Sequence, residues 1–315
     1  MNLSDDIKQK AIELGFDLVG ITDASPIGPA QTEMLKNFLN SGRAADMLYL
    51  HKNFEKRTNP AKLLKNAKSV ICVALNYKPE KTNKKSHQKT TPTGKVADYA
   101  CYQDYHRFIK KLLHKLADYI SANVKEKIKV KICVDSAPLA ERALAARAGL
   151  GFIGKNHSLI NPKFGPQLLL GEILTDIELQ PDRPLTNHCP DCNKCVTACP
   201  TAALSPAGRF DANKCISYLT IEHKKEIPPH LTAKIADHLF GCDECILACP
   251  YSLNAPPCTN KQFEFHPETK NLDLNQILKL SPTQFEAKFT DSPIKRPGLQ
   301  KLKQNAKICI KNITA

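Results

Sequence analysis

A mixed α/β (α+β) domain followed by a smaller, cysteine-organised domain is the architecture the sequence predicts. Three observations carry it. Helical and extended apolar patterns alternate through the first 175 residues, eight of the thirteen cysteines fall within 188–250, and Pro181, Pro184 and the polar run to His188 link the two regions. The boundaries are drawn at 1–180, 181–258 and 259–315, the last a basic tail packing on the core.

The first element is a helix that Ser4 is expected to cap, with Asp5 and Asp6 in its first turn, Ile7, Ala11 and Leu14 on one face and Gly15 closing it. Residues 16–22 read as a strand, 31–40 as a helix ending at Gly42, and 70–75 as a buried strand. From 81 to 95 almost nothing is apolar, the composition of a mobile surface loop. Its Lys81, Lys84, Lys85, Lys89 and Lys95 either touch a polyanion or are simply solvated. A helix over 104–122, a strand over 130–134, a helix over 139–148 stopped by Gly149, and a strand over 167–175 complete the first domain.

The chain has 315 residues, 42% of them apolar, enough for a sizeable core. The opening ten residues lack a secretory h-region, and the longest apolar runs are too short to span a bilayer. Thirteen cysteines without export imply a reducing compartment, so the protein is read as soluble, cytoplasmic, free of the membrane and monomeric. Its formal charge of +14 suits a nucleic acid or another polyanion, although solubility alone also explains a basic surface.

Cys189, Cys192, Cys195 and Cys199 form C-x2-C-x2-C-x3-C before Pro200, the spacing by which bacterial ferredoxins hold four-iron four-sulfur (4Fe-4S) clusters. Cys242, Cys245 and Cys249 before Pro250 repeat the pattern without its first cysteine, and Cys215 is the substitute. The residue before proline is directed away from its neighbours, so the fourth cysteine of each run serves the other cluster. One cluster is therefore expected on Cys189, Cys192, Cys195 and Cys249, and the second on Cys199, Cys215, Cys242 and Cys245. Zinc also uses C-x2-C pairs but has no use for the C-x3-C-P ending. The second domain is thus ferredoxin-like with two 4Fe-4S clusters. Cys72 and Cys133 fall in buried strands, where cysteine packs as a small hydrophobe, and Cys258 and Cys309 lack a partner at ligand spacing.

Asp135 stands where a strand gives way to a helix, a position at which open sheets present catalytic groups. On position alone, a cap formed by Asp135 or Ser136 is the simpler reading. The glycines of 148–156 permit close backbone approach, but their spacing gives little support to a nicotinamide cofactor.

Together these residues resemble the epoxyqueuosine reductases, cobalamin and iron-sulfur enzymes of tRNA modification. The resemblance rests on Asp104-Tyr105-His106, Val134-Asp135-Ser136-Ala137-Pro138-Leu139-Ala140-Glu141-Arg142-Ala143, the segment 148–156, Cys215-Ile216-Ser217-Tyr218-Leu219-Thr220-Ile221-Glu222, and Gly241-Cys242-Asp243-Glu244-Cys245. These occur in one order over residues 5–310, which excludes a bare ferredoxin. The implied activity is that of an oxidoreductase converting epoxyqueuosine to queuosine at the wobble position of tRNA. By resemblance, cobalamin sits in the first domain and is fed by the two clusters, themselves supplied by a one-electron donor such as a flavodoxin or ferredoxin.

In that scheme Asp135 becomes the proton donor, an assignment that displaces the cap reading, and burial against corrin and substrate is expected to raise its pKa. The resemblance implies corrin contacts at Arg57, Tyr99, Asp135, Asn156, Ser217 and Asp243. Asp104-Tyr105-His106 does not complete D-x-H-x-x-G, because Ile109 stands at the glycine, so no histidine-ligated cobalt is expected. Some relatives carry a cysteine where this chain has Ala97, and Cys101, four residues away, does not inherit its role. His223, Lys224 and Lys225 are expected to meet the tRNA anticodon stem-loop, with Lys295, Arg296, Lys301, Lys303 and Lys307 lining faces of a terminal helix. A cobalamin-dependent reductive dehalogenase acting on a small molecule is the alternative.

Overall fold

A computed structural model of the protein describes residues 2–80, 91–186, 188–189 and 191–314. Its strands, in chain order, are β1 (Leu18–Asp23), β2 (Ser69–Asn76), β3 (Thr93–Val96), β4 (Val130–Cys133), β5 (Phe152–Ile153), β6 (Leu159–Ile160), β7 (Leu168–Thr175), β8 (His238–Phe240) and β9 (Asn271–Asp273). The first five helices are α1 (Leu3–Glu13), α2 (Pro29–Asn40), α3 (Phe54–Thr58), α4 (Tyr105–Ala122) and α5 (Glu141–Arg147). They are followed by α6 (Lys194–Thr197), α7 (Ile216–Ile221), α8 (Pro229–Thr232), α9 (Glu244–Leu247), α10 (Pro250–Asn254), α11 (Leu274–Lys279), α12 (Pro282–Lys288) and α13 (Gly298–Thr314).

The main sheet has the order β1-β2-β7-β4, and every neighbouring pair is antiparallel. Side chains of a strand alternate between faces, and here both faces are covered. Ile71, Val73 and Leu75 meet α1 and α4 through Ile7, Ile109 and Leu113, whereas Val70, Cys72 and Ala74 meet α5 through Leu144 and Ala145. That double burial is why β2 is apolar without interruption. Each of the Val, Ile and Leu side chains contributes about 1.5–3 kcal/mol when fully buried. Cys72 and Cys133 lie in the second of these cores, as their strand positions require.

A second sheet, β8-β3-β9, packs with α11 and α13 around Leu239, Leu272, Leu274, Leu302 and Cys309. Because β3 belongs to it, the segment after residue 90 ties the two parts of the chain together. Three expectations are corrected here. The loop expected over 81–95 becomes strand at 93–96, with Lys95 bridging Asp237 at 3.2 Å; residues 81–90, with four of the five lysines named there, lie outside the described residues. Asn2, not Ser4, caps α1 by accepting from the Asp5 amide at 3.0 Å, since the helix starts two residues earlier; Ser4 turns inward and accepts from the Gln180 amide at 2.9 Å. Lys301 is buried on α13 rather than presented on a solvated face.

Candidate active site and cysteine sets

Asp135 is the centre of the site. It lies two residues beyond β4 in a left-handed backbone conformation, φ 52°, which costs most L-residues energy and which aspartate tolerates better than most. It does not cap α5, whose first turn follows Ala140 with no side-chain cap. Its amide donates to Glu141 Oε1 at 2.6 Å, and its Oδ2 stands 3.0 Å from His106 Nε2. His106 Nδ1 in turn lies 2.8 Å from Asp104 Oδ1. Asp104 is fixed because it caps α4, accepting from the His106 amide at 2.9 Å. Tyr105 stacks on the His106 ring with centroids 4.0 Å apart. From the far end of the chain, Arg296 reaches within 3.7 Å of Asp135 Oδ2 while its Nε bonds Glu222 at 2.6 Å.

These neighbours decide where the proton sits. Burial pushes the Asp135 carboxyl up, but the His106 hydrogen bond and charge, the Arg296 guanidinium and the Tyr105 hydroxyl outweigh it, and the net direction is downward. This is opposite to the rise expected from the sequence. Burial pulls His106 down, yet its bonds to Asp104 and Asp135 lift it to about 9. At neutral pH the proton therefore rests on His106, between two carboxylates.

Asp135 opens onto a cavity of about 560 Å³ bounded by Tyr49, Tyr99, Tyr105, His106, Phe210, Cys215, Ser217, Glu222, Lys295 and Arg296. Three of the expected corrin contacts, Tyr99, Asp135 and Ser217, line it; Arg57, Asn156 and Asp243 are not among its lining residues. Arg57 donates from Nη1 to the Leu139 carbonyl at 3.5 Å, and its Nε is buried with no partner. Asn156 donates to the Cys245 carbonyl at 3.4 Å, and Asp243 accepts the Asp98 amide at 2.6 Å, so both sit against the cysteine region. His157, whose ring lies 5.6 Å from that of Phe210, likewise has a buried Nε2 without a partner.

The eight cysteines of 188–250 fall into two electrostatic neighbourhoods. Cys195 feels Cys189 and Cys192, and Cys249 feels Cys189 and Cys195. Cys245 feels Cys242, Cys215 and Cys199. Burial first, and then Cys215, Asp243 and Glu244, push the Cys242 thiol up to about 12, a cost that a bound cation offsets. The glycine-rich segment supports both neighbourhoods rather than a phosphate. Gly151 and Gly154 let the β5–β6 hairpin close, since a Cβ at either would strike Ile160 at 2.4 and 2.3 Å. The adjoining Lys155 amide donates to Cys189 Sγ at 3.4 Å, and Lys155 Nζ to the Cys192 carbonyl at 3.1 Å. Among the described residues, no three His, Cys, Asp or Glu side chains converge on a single-ion position. Cys101 is buried with its thiol pushed up to about 12, chiefly by burial, and is far from a reactive state.

His223, Lys224 and Lys225 follow α7, one face of which borders the cavity through Ser217 and Glu222. His223 bonds the Glu226 carbonyl at 3.1 Å, and exposed Lys225 lies 3.7 Å from Asp46. Lys295 and Arg296 stand at the cavity in the turn preceding α13, not on that helix. In the sequence, Asp104-Tyr105-His106 stands out only as a marker of the resemblance. The signal for more was the spacing itself, since a carboxylate cap two residues before a histidine holds the ring at the helix start. Nothing local foretold that Arg296, held by Glu222, would meet Asp135.

Two family models match the chain. One described as Epoxyqueuosine reductase QueG, DUF1730 covers residues 57–136, and one described as a 4Fe-4S double cluster binding domain covers residues 188–252. An epoxyqueuosine reductase of Cellulophaga algicola is 38% identical over 305 residues, 96% of each chain. A crystal structure of an epoxyqueuosine reductase with an epoxyqueuosine-modified tRNA-Tyr stem loop superposes with a TM-score of 0.91 at 30% identity, covering 98% of this chain and 81% of that one. A Bacillus subtilis epoxyqueuosine reductase, solved with its catalytic aspartate loop swung out of the active site, gives 0.89 at 29% identity, with the same shares of each chain covered. No helix among the described residues is long and apolar enough to cross a membrane.

Proposed function

The chain belongs to the epoxyqueuosine reductase family, and we propose that its reduction of epoxyqueuosine to queuosine in tRNA takes place in the cavity beside Asp135, with Asp135 delivering the proton. The observation that carries this reading is the hydrogen-bonded series Asp104, His106 and Asp135, which ends at the cavity that Cys215 also lines.

The conversion takes up two electrons and two protons: both epoxide C–O bonds break, a C=C bond forms and the oxygen leaves as water. An alkoxide is a poor leaving group, so an acid at the oxygen lowers the barrier, typically by about 10²- to 10⁴-fold. Asp135 is ionised at rest, and the acid is best described as the pair. His106 Nε2 holds the proton 3.0 Å from Asp135 Oδ2, and a substrate that covers the carboxylate and excludes water raises its pKa and draws the proton across. Asp104 keeps the ring oriented and stabilises its charged form. Asp135 also stands on a loop of the kind that is displaced in the Bacillus subtilis relative.

The residues present fit both cofactors. Two four-thiolate sets suit two 4Fe-4S clusters, one on Cys189, Cys192, Cys195 and Cys249 and one on Cys199, Cys215, Cys242 and Cys245. A cavity walled by aromatic rings, with the unpartnered buried Nε2 of His157 beside Phe210, suits a broad apolar ring with polar edges. Cobalamin would be held by Tyr99, Asp135 and Ser217, the three expected contacts that line the cavity. When bound it supplies reducing equivalents to the epoxide, replenished one electron at a time through the clusters from a flavodoxin or ferredoxin. Because Cys215 lines the cavity, its set is the inner one and the Cys189 set the outer. His223, Lys224 and Lys225, with Lys295 and Arg296, would hold the phosphates of the anticodon stem-loop and bring the wobble base to the cavity.

The test is anaerobic reconstitution with iron, sulfide and cobalamin, followed by mass analysis of nucleosides from tRNA containing epoxyqueuosine. Queuosine should appear with the parent protein and fall at least 100-fold with Asp135→Asn, whose iron content and bound cobalamin should remain unchanged. Parental turnover in that variant sinks the acid assignment.

A further inference from the structure

We infer that Glu141, backed by Glu172, is the positioning residue that holds the Asp135 backbone in the left-handed conformation aiming its carboxylate at the cavity. The inference rests on the acid role proposed for Asp135 and extends it to two carboxyls that touch no substrate. Glu141 opens α5, and its Oε1 accepts the Asp135 amide at 2.6 Å across a six-residue turn. A φ of 52° in a non-glycine residue persists only where the surroundings over-determine it, and this bond is the tie at its amide.

Glu172 explains why the tie is a carboxyl. It lies on β7, paired on one side with Cys72 and on the other with Cys133, and is wholly buried. Neither of its oxygens has a partner of good geometry, and it faces Glu141. An ionised carboxylate in such a core is costly, and an aliphatic side chain would pack there without that cost. Burial pushes both groups up, which favours the protonated form in this core. With Glu172 facing it from the core, Glu141 keeps Oε1 as the acceptor of the Asp135 amide. Nearby Arg142 offers no competing tie, since its guanidinium is turned to the His157 carbonyl.

The experiment compares Glu141→Met, which keeps the volume and removes the acceptor, with Glu141→Gln, which keeps both, in the cluster- and cobalamin-loaded full chain. Glu141→Met should lower kcat about 10- to 100-fold with KM for tRNA within about twofold, and Glu141→Gln should recover kcat to within about threefold. In parallel, amide hydrogen exchange at Asp135 should quicken at least tenfold in Glu141→Met and not in Glu141→Gln. Should Glu141→Met fail to fold, Glu141→Ala takes its place in both measurements. Unchanged exchange, or equal loss of kcat in both variants, overturns the positioning role. Parental activity in Asp135→Asn would instead overturn the acid reading while exchange still judged the tie.

Discussion

Around the cysteines, each ligand turn is local: Cys192 and Cys195 flank the start of α6, and Cys242 and Cys245 the start of α9, with ligand spacings of three or four residues. Around Asp135, nothing is local. Its carboxylate answers to His106, 29 positions away, and to Arg296 from the last sixth of the chain, and its amide to Glu141. A site made of short turns keeps its geometry as long as each turn folds. A site assembled from distant segments holds only while both sheets and the terminal helices are packed against one another. The cysteine turns are therefore the modular part of the molecule, and the surroundings of Asp135 report on the integrity of the whole.

The sharpest way to break this comparison is to ask whether the cysteine sets are purely local. If they were, Cys199 would join Cys189, Cys192 and Cys195, and Cys215 would join the second run. The electrostatic neighbourhoods instead join Cys199 to Cys215 and Cys245, and Cys249 to Cys189. A Cys199→Ala/Cys215→Ala double variant should thus lose turnover entirely yet retain about half the iron, one four-iron cluster of two. Loss of all iron in that variant would restore local pairing. The measurement is iron per chain after anaerobic reconstitution.

A smaller effect sharpens the other side. His106 is raised from its usual 6.5 to about 9 by two carboxylates, with burial opposing. Its charged form is favoured in the folded protein, so its contribution to stability is full below pH 6.5, shrinks as pH rises and is gone above about 9. Asp135, held low, contributes stability that is full at neutral and alkaline pH and is lost only as the pH falls into the acid range, so it does not obscure this window. His106→Gln should lower kcat about 10- to 100-fold, remove the alkaline limb of kcat/KM near pH 9, and flatten the fall of Tm between pH 6.5 and 9. An alkaline limb that survives the substitution would assign it to another group.

How much of this could be read in advance follows the same division. The runs of thiols and prolines stated their own chemistry, and Val70–Leu75 announced a strand because burial on two faces leaves no polar position to disguise it. The main elements of the first domain came within two residues of their observed ends, since capping and periodicity are local. The direction of the Asp135 pKa was not legible. Strand-to-helix position suggests burial, but the sign was set by His106, Arg296 and Tyr105, which reach it through tertiary packing. Strand β3 was missed for a related reason: Thr93 to Val96 is polar and glycine-containing, and it is strand because β8 and β9 pair with it on either side.

The smallest expected effect probes the surface that joins the two halves. Lys224 and Lys225 extend from α7, so they move with the cysteine region, whereas Lys295 and Arg296 belong to the segment that reaches Asp135. Arg296 is already engaged with Glu222 and Asp135, and Lys295 with Glu286 at 2.5 Å. Exposed Lys224 makes no ion pair among the described residues, while Lys225 gives up only a weak one, 3.7 Å from Asp46. Phosphate contact by the two lysines should therefore come at little cost to the fold. Lys224→Ala/Lys225→Ala should weaken binding of the tRNA stem-loop modestly and lower the slope of log K against log salt by about 1 to 2, leaving iron content, Tm and single-turnover kcat unchanged. An unchanged slope would move the phosphate track away from α7 and leave the acid half of the cavity to hold the RNA.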